Sequence, residues 1–129
     1  MWKSILISDR FRARVVVIEF NYAIPTNENR VVNPYQDSLR WTGTNHFGAG
    51  ILALAALGRA YGYTLVYGEM QGVNLFFVRT SILKDLRVLH RIPSLAELHV
   101  TRPASGWKHK DELDRTRTWI WNDVMWIGD

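Results

Sequence analysis

Arg14-Val15-Val16-Val17-Ile18-Glu19-Phe20-Asn21 sets four unbroken apolar residues ahead of a carboxylate, an aromatic ring and an amide. All four are β-branched, three valines and one isoleucine, so a strand is favoured over a helix. The run does not alternate, and such a run reads as a strand covered on both faces, as in a parallel sheet. Open parallel sheets place ligands beyond the carboxyl ends of their strands, where Glu19 and Asn21 fall. These two residues are the first functional candidates. The plainer alternative is that they only end the strand and begin the next loop.

The 129 residues suit one domain with a core of its own, and 47% apolar content argues for folding rather than disorder. There is no cysteine, which excludes disulfides, thiolate chemistry and cysteine-ligated metal. No basic-plus-apolar leader is visible. The longest apolar run, Phe47 to Gly58, is 12 residues, short of the roughly 20 that a membrane helix needs. A cytoplasmic location is the default expectation, with no membrane partner. The net charge of +4 arises in residues 1–100, with 11 Lys/Arg against 7 Asp/Glu; residues 101–129 balance at 5 against 5. Only Arg10, Arg12 and Arg14 cluster. With no basic stripe and no recognisable nucleic-acid module, a nucleic-acid partner is not expected.

Trp2 to Ile7 reads as the end of an amphipathic helix. The stretch from Tyr22 to His46 is polar, contains Pro25 and Pro34, and holds no periodicity. Loops this long are usually functional or disordered. Its Tyr35, Trp41, Asn45 and His46 are unusual content for disorder, so it reads as an ordered lid or binding loop. Phe47 to Tyr61 is a helix apolar nearly all round, hence buried on most sides, with Gly62 as its stop. Tyr63–Tyr67 and Val73–Val78 form two strands whose five-residue, glycine-containing link permits only an antiparallel hairpin. Ser81 to Arg91 is a second helix with Ile82, Leu86 and Leu89 on one stripe, ended by Pro93. Ser94-Leu95-Ala96-Glu97 has capping-box spacing. Trp119 and Trp121 alternate as on a strand, and the Trp-rich tail either packs on the domain or meets a partner.

Gly48-Ala49-Gly50-Ile51-Leu52-Ala53 fits G-x-G-x-x-A, with Glu69 about twenty residues on. The context fails, because 27 residues separate Phe20 from Gly48. Close packing of a buried helix against the sheet explains these small residues better. The histidines at 46, 90, 99 and 109 have no metal-ligand spacing. Only His46, just before a helix start, is a candidate general base or orienting group, and helix capping is the favoured reading even there.

Five segments resemble one family pattern. They are Val17-Ile18-Glu19-Phe20-Asn21, Pro34-Tyr35, Trp41-x-Gly43-Thr44-x-x-Phe47-Gly48-Ala49, Gly62-Tyr63-x-Leu65-Val66 and Gly72-Val73-Asn74-x-Phe76-Phe77-Val78. In order and spacing they resemble the C-terminal half of a Rossmann-like, S-adenosylmethionine-dependent methyltransferase-type family related to the FkbM group. The resemblance spans residues 2 to about 80 and implies that Val15–Phe20 is the fifth of seven strands, followed by a crossover helix and a terminal edge hairpin. The family's glycine-rich turn, acidic residue and Asp-Ile-Asp-Gly stretch have no counterpart in these 129 residues. No cofactor-binding residue therefore carries over, and no cofactor is expected on this chain alone, although intact members use S-adenosylmethionine.

The expectation is an α/β fold: a partial Rossmann-like (class I methyltransferase-like) sheet, mostly parallel, with an antiparallel edge hairpin and a helical C-terminal extension. Residues 1–92 would form the half-domain and residues 93–129 the Trp-rich extension. By the resemblance, Glu19 and Asn21 would orient a small-molecule or glycan-like acceptor, with Tyr35, Trp41, Asn45 and His46 around it. Trp41→Ala or His46→Ala would leave folding nearly intact. The competing reading is a non-catalytic interaction module using the 22–46 loop and the tail. A half-domain of this kind also predicts self-association through an exposed sheet edge.

Overall fold

A computed structural model describes residues 2–8, 10–33, 45–100 and 119–121. It is a mixed α/β structure. In chain order the elements are α1 (Trp2–Ser8), β1 (Val15–Glu19), β2 (Arg30–Val32), α2 (Ile51–Ala60), β3 (Tyr63–Gly68), β4 (Asn74–Arg79) and α3 (Thr80–Asp85). A 3-10 turn at Leu89–Arg91, α4 (Leu95–Leu98) and β5 (Trp119–Trp121) follow.

The main sheet has three strands in the order β1-β4-β3. The expected hairpin is present, with β3 antiparallel to β4 and a bulge between Leu65 and Tyr67. Its link is closed by Glu69, whose carboxylate accepts hydrogen bonds from the backbone N–H groups of Gln71 (2.9 Å), Val73 (2.7 Å) and Asn74 (3.2 Å). Gly72 supplies the positive φ of 66° that the turn requires.

The expected mostly parallel sheet, with Val15–Phe20 covered on both faces, is not what forms. β1 pairs antiparallel with β4, from Val15 opposite Val78 to Glu19 opposite Asn74. Val15 and Val17 are 52% and 53% exposed. Four consecutive apolar residues show that neither face of a strand is polar there; they do not show that both faces are covered. Because β1 and β3 each oppose β4, they run in the same direction, and α2 joins them as a crossover. The result is a split β-α-β unit with the antiparallel β4 inserted between its two strands.

The described residues cover one face of the sheet. Val16 and Ile18 of β1, Leu75 and Phe77 of β4, and Tyr63 and Leu65 of β3 share the core with Ile51, Leu54 and Ala55 of α2 and Leu98 of α4. Trp2 anchors α1 there, its ring 4.8 Å from Phe77 and 6.3 Å from Tyr63 between centroids. A Cβ at Gly58 would stand 3.0 Å from both Phe77 and Trp2, so the glycine makes the space that Trp2 fills.

The helix read from Phe47 starts later, at Ile51, because Ala49 sits in a β-bridge and Gly50 is extended. Val31 bridges Ala49, with Val32 N–H donating to the Gly48 carbonyl (2.8 Å) and Gly50 N–H to that of Arg30 (3.0 Å). β2 also pairs antiparallel with β5. The stretch read as one long loop thus contains a strand, and the chain beyond residue 92 supplies both that strand's partner and the core residue Leu98.

The second helix also differs from its expected length. α3 stops at Asp85 and closes with Arg87 N–H on the Lys84 carbonyl (3.0 Å) and Val88 N–H on that of Leu83 (3.1 Å). This is the Schellman pattern, with Arg87 at φ 57° where glycine is usual. Leu86, expected on the apolar stripe, is 64% exposed, and Leu83 is buried instead. The expected capping box forms: Ser94 Oγ accepts from Glu97 N–H, and Glu97 accepts from Ser94 N–H at 2.8 Å. Hydrogen bonds from the Ser94 side chain and backbone hold the Glu97 carboxyl below its ordinary range.

Two variants should move stability in opposite directions in one urea-denaturation series. Gly50→Leu should destabilise by roughly 1–3 kcal/mol through overpacking, because a Cβ there would lie 2.6 Å from Ile24 Cγ2. Arg87→Gly should stabilise by roughly 1 kcal/mol by removing the left-handed strain.

Candidate functional site

Glu19 ends β1 with its side chain exposed, on the same open face as Val15 and Val17. The chain then passes through Phe20, Asn21 and Tyr22, all buried. Asn21 is fully buried, and its polar groups are committed to the chain. Its Nδ2 donates to the carbonyls of Asn45 (2.6 Å) and Phe47 (3.1 Å), and its Oδ1 accepts from Ala23 N–H (3.0 Å). Its own N–H donates to the Ala49 carbonyl (2.8 Å), and its carbonyl accepts from Ile24 N–H (3.2 Å). An amide so engaged holds the 45–49 segment against the end of β1. It fixes the position of a site wall rather than reaching into solvent.

Asn45 and His46 are buried in that same segment. His46 is only 7% exposed, so His46→Ala would remove packed volume, contrary to the expectation of nearly intact folding. Tyr35 and Trp41 lie outside the described residues. The structure therefore brings Glu19, Asn21, Asn45 and His46 to one end of the sheet, with only Glu19 of these freely presented.

A residue not singled out from sequence joins them. His99, just after α4, places Nε2 3.0 Å from the Tyr22 carbonyl and packs edge-on against Phe20, ring centroids 5.9 Å apart. Since a carbonyl only accepts, this nitrogen carries the hydrogen. The contact spans 77 residues, and no local pattern announces it.

The glycine motif does not form a nucleotide cradle. Gly50 is buried with Ile24 Cγ2 where its side chain would begin, and Gly48 is exposed at φ 59°. Glu69, the would-be ribose ligand, closes the hairpin turn instead. Among the described residues no group of three or more His, Asp or Glu is placed to hold a metal ion, and no helix is long and apolar enough to cross a membrane. A separate cleft of about 520 Å³ runs along β3 between α2, α3 and α4, with Arg59, Lys84 and Leu89 among its lining. It shares none of its lining with the Glu19 site.

No family model, curated protein or solved structure matches this chain.

Asn21→Ala should cost several kcal/mol, because buried partners left unsatisfied cost about 1–3 kcal/mol each. A cooperative urea transition shifted far below that of the wild type is the expected result. Asn21→Asp should do no better, since a carboxylate cannot donate to the Asn45 and Phe47 carbonyls.

Proposed function

We propose that this chain is the acceptor-side half of an S-adenosylmethionine-dependent, methyltransferase-like α/β protein. The acceptor, a small molecule or glycan-like group, lies at the carboxyl end of β1. The observation that carries this reading is the β1-α2-β3 crossover between strands of common direction. It gives β1 a carboxyl end of the kind where α/β sheets bind ligands, and the chain leaves that end through the Asn21-pinned loop. The order strand, buried helix, hairpin is also the order the sequence resemblance implies.

Within this reading Glu19 orients an acceptor hydroxyl or amine through its exposed carboxylate. Asn21 shapes the wall by fixing residues 45–49, while the buried Asn45 and His46 and the half-buried His99 form the polar ground beneath it. The residues described do not fit the cofactor, because the only glycine motif is packed shut and Glu69 is spent on a turn. The chain on its own is therefore expected to lack saturable S-adenosylmethionine binding, and no methyl-transfer step is assigned to its residues.

An NMR titration with hydroxylated small molecules tests the acceptor site. Shift changes should centre on Glu19, Asn45 and His46 and weaken roughly tenfold in Glu19→Gln, the ordinary effect of losing one charged hydrogen bond. Changes centred instead on the β3 cleft around Arg59 and Lys84 would overturn the assignment. Calorimetry with S-adenosylmethionine should give no saturable heat at micromolar concentration.

A further inference from the structure

The two edges of the main sheet are finished differently. β3 carries a bulge at Leu65/Tyr67, and its end at Gly68 is pressed against the Leu98 carbonyl of α4. Bulges and covering elements are the usual protection of a strand edge. β1 has no bulge, proline or charge between Val15 and Ile18. The bonds from Arg79 N–H to the Arg14 carbonyl and from Phe20 N–H to the Val73 carbonyl fix which residues of β1 face β4. Residues 14, 16, 18 and 20 face it, so the N–H and C=O groups of Val15, Val17 and Glu19 point the other way, to an edge with no strand partner among the described residues. On the strand itself Val15 and Val17 are exposed apolar side chains.

We propose that β1 pairs, antiparallel and centred on Val17, with β1 of a second copy of this chain, giving one continuous six-stranded sheet. The inference rests on the open edge that the half-domain reading also implies, and it draws on Glu19, the residue placed at the acceptor site. Opposite residues in an antiparallel ladder must lie on the same face, so Val17 meets Val17, and Val15 meets Glu19 of the other copy. All three facing pairs are of the hydrogen-bonded type and use the groups now pointing outward. Charge selects the direction. Arg10, Arg12 and Arg14 precede the strand and Glu19 closes it, so antiparallel pairing carries each Glu19 toward the arginine-bearing end of the partner. Parallel pairing would set Glu19 beside Glu19 and arginine beside arginine. The arrangement is two-fold and closed, so it ends at a dimer rather than a fibre.

The full chain should sediment as a dimer of its 15.0 kDa protomer. Val17→Lys should weaken association roughly 100-fold or more, because two lysines would face each other across the axis. Circular dichroism should remain native, since Val17 is half-exposed. Tyr67→Lys, on the other edge strand, should remain dimeric. The chain has no cysteine, so Val17→Cys introduces a single thiol; mild oxidation should link it into a covalent dimer, and urea should suppress the reaction. A monomer at every concentration, a polydisperse assembly, or a dimer lost in Tyr67→Lys but kept in Val17→Lys would each overturn the proposal.

Discussion

The buried amide of Asn21 is the point on which the two sheets and the candidate site depend. β1 and the 45–49 segment are joined by no regular ladder, and Asn21 supplies bonds to three residues of that segment: Asn45, Phe47 and Ala49. Its Oδ1 also turns the chain at Ala23, which brings Ile24 into full burial against Gly50. Each bond contributes modestly when made, about 1 kcal/mol, but the desolvated partners make its loss costly. Asn is suited to the place because it offers two donors and an acceptor from one short side chain. Aspartate offers no donor when ionised, and alanine offers nothing.

The main sheet gains its stability from one face. α2 is rich in alanine and leucine, so it can lie close on Tyr63, Leu65 and Phe77, and Gly58 brings Trp2 into the same layer. The opposite face keeps Val15, Val17 and Tyr67 half in water, with Tyr67 and Phe76 sheltering each other at 5.6 Å between ring centroids. The inequality of the two faces and of the two edges separates the roles available to the molecule. A carboxylate and a pinned loop stand at the carboxyl end of β1. Along its side stand valine and backbone that no described strand pairs.

Much of the local structure was legible in the sequence. The hairpin followed from a link too short to cross over, and α4 from the Ser94–Glu97 spacing. α2 followed from its apolar content, displaced by four residues because Gly48–Gly50 pairs with β2 before the helix can begin. Non-local facts were not legible. The direction of β1 is set by β4, more than fifty residues later, and its apolar run is the same whether one face or two are covered. β2 is three residues long in a polar stretch, and its strand partners sit at Ala49 and in Trp119–Trp121. Arg87 ends α3 in a conformation that the sequence would assign to glycine. At the site, Glu19 and Asn21 were found as a pair but serve different ends. His99 could not be found, because only the tertiary fold brings it to Tyr22.

The central claim is that one buried side chain couples β1, the 45–49 segment and β2 into a single unit, and native-state amide hydrogen exchange tests it most directly. The informative amides are those of Asn21, Ala23, Val32 and Gly50, bonded respectively to the Ala49 carbonyl, Asn21 Oδ1, the Gly48 carbonyl and the Arg30 carbonyl. A coupled unit predicts one shared opening free energy and one shared denaturant dependence for all four. Protection of Asn21 alone, with Val32 and Gly50 exchanging near their intrinsic rates, would contradict it.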